Sequence, residues 1–265
     1  MKTILPILVL SLAFSFPSAQ AQFVINETFS EDTVNPDNPQ NIPVEGVKAA
    51  PVNLPGASWQ MATGDGAYEA YLTPPATTAA ACFHNVAAIA LNLAGNGSYT
   101  KPKTMTVSAA MAFATDAATG TCYVGYYSKL QGPHTGNPAG NFTGLILQKD
   151  GKLQLVENGT AAGAAIPYTG KYDPTTPATV TFTVSTTNGS ISNVSVSGST
   201  SAYTFTSKAF TDAATAYLGV GSQTDGASMG YCTLLQLASG TSLPAPTPAP
   251  SSPQTNAPSG SPPAK

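Results

Sequence analysis

Two Asp/Asn-Gly reversals, each set between runs of alternating apolar and polar residues, constrain this chain more than any other feature. Alternation with a period of two puts every second side chain on one face. That demands extended strands, and a Gly-bearing reversal between two such runs reads as a hairpin. Around the first reversal, Leu145, Leu147, Leu153 and Leu155 share a face only if the loop is the odd-length Lys149-Asp150-Gly151. A two-residue Asp-Gly loop would set Leu147 opposite Gln154 and turn one strand's apolar set outward. At the second, Asn188-Gly189, an odd loop is likewise expected, because it sets Val184 opposite Val194 and Phe182 opposite Val196.

The same reading along the chain predicts strands near 23–29, 67–72, 86–91, 104–114, 121–128, 144–148, 152–157, 178–185, 191–196, 202–206, 217–221 and 230–237. The clearest is 104–114, where Met105, Val107, Ala109, Met111 and Phe113 alternate with Thr104, Thr106, Ser108, Ala110 and Ala112. The Ala-rich stretch 76–90 comes nearest to a helix, but Pro74 and Pro75 precede it and its apolar residues are too continuous to define a face. Many short strands separated by Gly, Pro and Asn turns, with no repeat of fixed period, predict an all-β fold, a two-sheet antiparallel jelly-roll sandwich.

The two ends read differently. Lys2, the apolar stretch Ile4 to Phe16 and the small-x-small pattern Ala19-Gln20-Ala21 predict a signal peptide over 1–21, too short to span a membrane. Residues 22–240 form one expected domain, and 241–265 a disordered Pro/Ser/Ala-rich tail without aromatic residues. The expected address is therefore secreted, extracellular or at the cell surface, with no membrane insertion after the signal is removed.

Charge is sparse: 9% of residues are charged, all ten cationic residues are Lys, and the net charge is −3. Without a basic patch, nucleic acid is excluded as a partner class. Cys82, Cys122 and Cys232 follow the signal, so export predicts one disulfide and one leftover thiol. Three pairings are open; Cys122–Cys232 is favoured because both fall in predicted strands while Cys82 lies near a loop.

The order of elements resembles a known family. FVINETF opens a first strand at Phe23, Leu54-Pro-Gly-Ala-Ser-Trp59 follows a polar loop, and then come the 104–114 strand and Tyr123-Val-Gly-Tyr126. Gly144-Leu-Ile-Leu with its hairpin, Tyr217-Leu-Gly-Val-Gly221 and a Leu-rich strand at 231–237 close the domain. This is similar to the concanavalin A-like, laminin-G-type jelly rolls of secreted bacterial proteins, many of which carry a C-terminal Pro-Glu-Pro sorting tail. That tail is absent here.

The resemblance directs attention to glycoside hydrolases on the same scaffold, but the Glu-x-Asp-x-x-Glu run expected of them does not occur. Asp65 and Glu69 on one extended segment would be roughly 13 Å apart, wider than hydrolytic carboxylate pairs, which are ~5–9.5 Å apart. A cross-strand pair would have to draw on Glu27, Glu69 or Glu157. His84 and His134 lack triad partners, and no Gly-x-Ser-x-Gly elbow is present. The loop 31–41 is rich in oxygen ligands, and Glu31, Asp32, Asn35, Asp37 and Asn38 are candidate calcium ligands, beside the plainer reading of a solvated, Pro-built loop. Six Asn-x-Ser/Thr sequons occur, at Asn26, Asn96, Asn141, Asn158, Asn188 and Asn193.

The remaining binding signal is aromatic. Tyr123, Gly125 and Tyr127 share one face of their strand, and Tyr217, Gly219 and Gly221 one face of theirs. Were these strands neighbours, tyrosines separated by glycines would offer a sugar ring an unobstructed aromatic surface. The plainer reading is that the glycines relieve crowding. Trp59 is expected to be a core or sheet-edge plug. The functional expectation is a non-catalytic, lectin-like domain binding a glycan or polysaccharide in adhesion. A glycoside hydrolase or polysaccharide lyase, and an exported structural domain without a ligand, are the alternatives.

Overall fold

The computed structural model describes residues 22–29, 42–43, 58–64, 67–72, 78–84, 86–93, 101–114, 119–130, 141–168, 176–197, 199–200, 205–206, 217–224 and 229–244. The expected signal peptide, the loop 31–41, His134, Asp65, Asn96 and nearly all of the tail lie outside them. Among the described residues every regular element is a strand. In chain order these are β1 (Phe23–Glu27), β2 (Ile42–Pro43), β3 (Trp59–Gly64), β4 (Ala67–Leu72), β5 (Thr78–His84), β6 (Val86–Asn92), β7 (Thr104–Phe113), β8 (Gly120–Tyr127) and β9 (Phe142–Gln148). The second half adds β10 (Lys152–Glu157), β11 (Thr160–Ala161), β12 (Ile166–Pro167), β13 (Ala178–Ser185), β14 (Ser190–Val196), β15 (Ser199–Thr200), β16 (Phe205–Thr206), β17 (Tyr217–Thr224) and β18 (Met229–Ser239).

They form a jelly-roll sandwich of two antiparallel sheets. The first has the order β15-β14-β13-β7-β18-β5-β4-β2, with β1 also on β18 and β16 on β14; the second runs β11-β10-β9-β8-β17-β6-β3, with β12 on β10. β1 and β5 share one side of β18, pairing with its 235–238 and 229–232 portions in turn. The core between the sheets follows from alternation. β7 sends Met105, Val107, Ala109, Met111 and Phe113 inward, where they meet Val124, Leu145, Leu147, Leu153, Leu155, Leu218 and Val220 from the other sheet. Each Val, Leu, Met or Phe side chain so withdrawn from water contributes about 1.5–3 kcal/mol.

The first hairpin has the odd loop. Lys152 pairs with Gln148, Leu153 with Leu147 and Leu155 with Leu145. Gly151 turns the chain at φ 85° and donates its N–H to Gln148 O at 3.0 Å.

The second hairpin corrects its expectation. Val184 pairs with Ile191, not Val194, across the four-residue loop 186–189, and the register then slips so that Thr181 meets Ser195 and Val180 meets Val196. Within the slip, Asn193 sits at φ 53°, the left-handed conformation of a bulge residue. Ile191, Val194 and Val196 are all buried in the core. A β-bulge, rather than an odd loop, reconciles their unequal spacing.

β3, β5 and several two-residue strands were not expected. The Ala-rich stretch supplies β5 and β6 rather than a helix, and Cys82 lies within β5 rather than near a loop. Trp59, on the edge strand β3, is fully buried and packs on Phe29 with ring centroids 5.6 Å apart. Its Nε1 donates to Glu27 Oε2 at 3.3 Å, while Phe29 N donates to Glu27 Oε1 at 2.7 Å, so the buried Glu27 ties the edge of one sheet to the first strand of the other.

Candidate functional site

The outer face of the second sheet gathers the aromatic and glycine positions singled out above. β8 lies between β9 and β17, so Tyr127 pairs with Tyr217, Gly125 with Gly219 and Tyr123 with Gly221. All five expected residues, Tyr123, Tyr127, Tyr217, Gly125 and Gly219, therefore share one face of two neighbouring strands.

The face is not the open aromatic surface expected from the sequence. Tyr123 and Tyr127 are 0% exposed and pack in a second apolar layer with Phe142, Ile146, Val156 and the alanines Ala62, Ala88 and Ala90. Phe142 meets Tyr123 edge-on at 5.4 Å and Tyr127 tilted at 5.0 Å. The glycines are the floor on which these rings lie. A Cβ on Gly219 would come 2.6 Å from Tyr127 Cε2, and one on Gly221 2.6 Å from Tyr123 Cζ. Gly125 and Gly144 face each other so closely that a Cβ on Gly125 would stand 2.6 Å from Gly144 Cα. Tyr123 Oη donates to Ala87 O at 3.1 Å. Burial pushes the Tyr127 phenol well above its ordinary range, which the Tyr123 hydroxyl only partly offsets. Of the three tyrosines, Tyr217 alone is partly exposed.

What this face offers solvent is its rim. At one end Gln148, Thr121 and Gln223 stand in a row across β9, β8 and β17, with Lys152 beyond Gln148. At the other, Tyr217 pairs with Asn92 of β6. Gln60, beside Ala90, and Gln154, beside Ile146, flank the apolar centre. Gln60 and Gln223 are exposed, and Thr121, Gln148, Gln154, Asn92 and Tyr217 partly so. Gln154 Nε2 donates to Leu155 O at 2.8 Å and to Ala162 O at 3.3 Å, which fastens its side chain at the sheet edge. Lys152, the cation of this rim, is paired with Asp150. Amides and hydroxyls both donate and accept, so such a rim suits polyhydroxylated, uncharged ligands. The sequence reading stopped at the aromatics and missed it, although the same alternation places these amides.

Among residues with described side chains, the carboxylates are Glu27, Asp150 and Glu157. Glu27 is committed to Trp59 and Phe29, Asp150 sits in a turn, and Glu157 ends β10, on the other sheet from Glu27. The described side chains thus bring no two carboxylates together on the rim. The candidate calcium ligands Glu31, Asp32, Asn35 and Asp37 lie outside the described residues, among which no cluster of three or more His, Cys, Asp or Glu could hold a metal.

The expected Cys122–Cys232 disulfide is also corrected: all three cysteines are unbridged and buried. Cys122 Sγ donates to Ala112 O and Cys232 Sγ to Leu234 O, each at 3.4 Å, so each thiol has its own carbonyl partner. Burial pushes the Cys82 and Cys122 thiols up from 9.0 to about 12, the latter against opposing hydrogen bonds from Ser222 and Tyr231. Cys232 is raised further, again by burial first.

No family model matches this chain. No curated protein matches it either. Among solved structures it is similar to domain 4 of AbnA, a GH43 extracellular arabinanase from Geobacillus stearothermophilus, in complex with arabinotriose: 15% identity, 84% of this chain and 94% of that one covered, TM-score 0.49. It is similar also to arcelin-5, a lectin-like defense protein from Phaseolus vulgaris, at 10% identity, 84% and 100% coverage and TM-score 0.43. The carbohydrate recognition domain of Emp46p, metal-free form, gives 13% identity, 74% and 94% coverage and TM-score 0.43. The fold rests on the strand pairing itself, and these distant likenesses add no residue to the site.

Proposed function

We propose that this chain is a secreted, non-catalytic, lectin-like domain that binds a neutral glycan or polysaccharide in a surface or matrix adhesion role. The observation that carries this reading is the rim of the second sheet. Gln148, Thr121 and Gln223 at one end, and Tyr217 with Asn92 at the other, bracket a rigid apolar centre with uncharged donors and acceptors. Carbohydrate recognition needs this mixture, in which hydroxyls are hydrogen-bonded at the ends and the apolar side of a sugar ring rests against Tyr217. Secretion is supported by the leader-like residues 1–21, and the neutral partner by the sparse charge of the whole chain.

The test is retention of the secreted chain on neutral and acidic polysaccharides, alongside Gln223→Ala, Thr121→Ala and Tyr217→Ala. Gln223 is exposed and Thr121 partly so, and their variants are expected to keep the wild-type melting temperature; Tyr217 also packs on the apolar layer, so its variant is assayed well below its own melting temperature. Retention on a neutral polymer should weaken in each by about 0.5–1.5 kcal/mol, the worth of a hydrogen bond. Wild-type retention on no polymer, or variants that bind as well as the wild type, would overturn the proposal. Release of new reducing ends from any polymer would replace it with the hydrolase reading.

A further inference from the structure

Each outer face of the sandwich carries a row of uncharged polar side chains running across the strands, and the two rows differ in what they bond to. On the first sheet the row is Ser195, Thr181, Ser108, Gln236 and Asn26, one each from β14, β13, β7, β18 and β1. Four of these bond to one another. Ser108 Oγ and Thr181 Oγ1 share a hydrogen bond at 3.0 Å, and Gln236 Nε2 donates to Asn26 Oδ1 at 2.9 Å. On the second sheet the row is Gln148, Thr121 and Gln223, from β9, β8 and β17. Among the described residues these three side chains make no hydrogen bond. Gln223 is exposed and the other two partly so, which leaves their donors and acceptors open to a ligand.

The neighbours of this second row set the direction in which a ligand can use it. Along each strand the next residue on the same face is buried: Ile146 on β9, Tyr123 on β8 and Gly221 on β17. The Tyr123 hydroxyl is already committed to Ala87 O. A ligand running along a strand would therefore meet one polar group and then the buried layer. A ligand running across the strands meets a polar group at every strand, about 4.8 Å apart. Each sugar of an extended β-1,4-linked glycan advances the chain by close to that distance, so successive sugars fall on successive side chains. Beyond Gln148 the row ends at Lys152, whose charge is paired with Asp150. Tyr217 stands six residues along β17 from Gln223, about 20 Å away, and meets a different part of a polymer.

We propose that Gln148, Thr121 and Gln223 form a three-sugar subsite for an internal stretch of an extended, neutral β-1,4-linked glycan lying across the strands. This rests on the glycan-binding reading above and narrows it to linear chains held along their length rather than by a terminal sugar. Amide and hydroxyl groups both donate and accept, so each of the three can bond to hydroxyls of the sugar that lies over it.

The test is calorimetric titration of the full chain with cello-oligosaccharides and β-1,4-manno-oligosaccharides of one to six sugars. Malto-oligosaccharides of the same lengths, whose α-1,4 linkage curls the chain, serve as the comparison. Affinity for at least one β-1,4 series should rise about 2–12-fold with each sugar up to three, as one hydrogen bond is added at a time, and then level off. Gln148→Ala and Gln223→Ala should each bring that plateau down to two sugars. Ser195→Ala, in the row of the first sheet, should leave the series unchanged. A single sugar that binds as well as six, a malto series that binds as well as the β-1,4 series, or no binding of either β-1,4 series would overturn the proposal. Retention on some other neutral polymer alongside such a result leaves the broader reading standing, whereas retention on none removes both.

Discussion

Gly219 and Gly221 show how single positions set the character of a whole face. Each lies under a tyrosine ring, and a Cβ at Gly219 would also stand 3.0 Å from Ile89 O. Gly219→Ala and Gly221→Ala should therefore each cost about 1–3 kcal/mol, the range for overpacking a filled core. Tyr123→Phe should cost about 1 kcal/mol through the lost bond to Ala87 O, whereas Tyr123→Ala should cost about 3–5 kcal/mol through the cavity. Urea midpoints check all four, and a midpoint for Tyr123→Ala close to wild type would show that the ring is not core. Glu27 makes a similar point with charge. Its carboxylate accepts from Trp59 Nε1 and from the backbone of Phe29, a bulky residue held at the unusual φ of 56°. Glu27→Ala leaves both donors buried without that acceptor and should cost about 1–3 kcal/mol, more than Trp59→Phe loses in hydrogen bonding alone.

At the scale of the element, the two hairpins explain what could be read from the residues and what could not. In the first, the leucines keep one parity through 145–147 and 153–155, so a single odd loop satisfies them all and the register follows from the pattern. In the second, Ile191 and Val194 have opposite parity and no single register buries both. The chain absorbs the difference at Asn193, whose Nδ2 also reaches Thr183 Oγ1 at 3.4 Å. Asn193→Gly, which keeps the left-handed conformation open, should change stability by only a few tenths of a kcal/mol. Asn193→Val, β-branched at φ 53°, should cost about 1–2 kcal/mol. Equal midpoints for the two variants would mean that the bulge is not what sets the register. The Ala-rich β5 was illegible for another reason: alanine carries no strand preference, and a continuous apolar run has no period. The tyrosine face shows a third limit. Period two placed Tyr123, Tyr127 and Tyr217 on one side of their strands, but alternation cannot tell whether that side is covered.

Across the whole molecule, the buried thiols couple the stability of the sandwich to pH. Burial in the fold raises Cys82 and Cys122 from 9.0 to about 12 and raises Cys232 in the same direction. A thiol whose folded pKa lies above its unfolded value holds its proton in the native state after the unfolded chain has lost it. Its contribution to stability is therefore complete below about pH 9 and declines as pH rises toward the folded value. Each such thiol imposes a slope approaching 1.4 kcal/mol per pH unit in that window. All three thiols contribute in this way, and Cys122→Ala removes one of the three. Urea unfolding of the reduced chain from pH 8 to 11 should therefore show the wild type losing stability faster than Cys122→Ala, so that the difference between them shrinks as pH rises. Parallel curves would show that the Cys122 thiol ionises alike in the folded and the unfolded chain, which its burial in the core forbids.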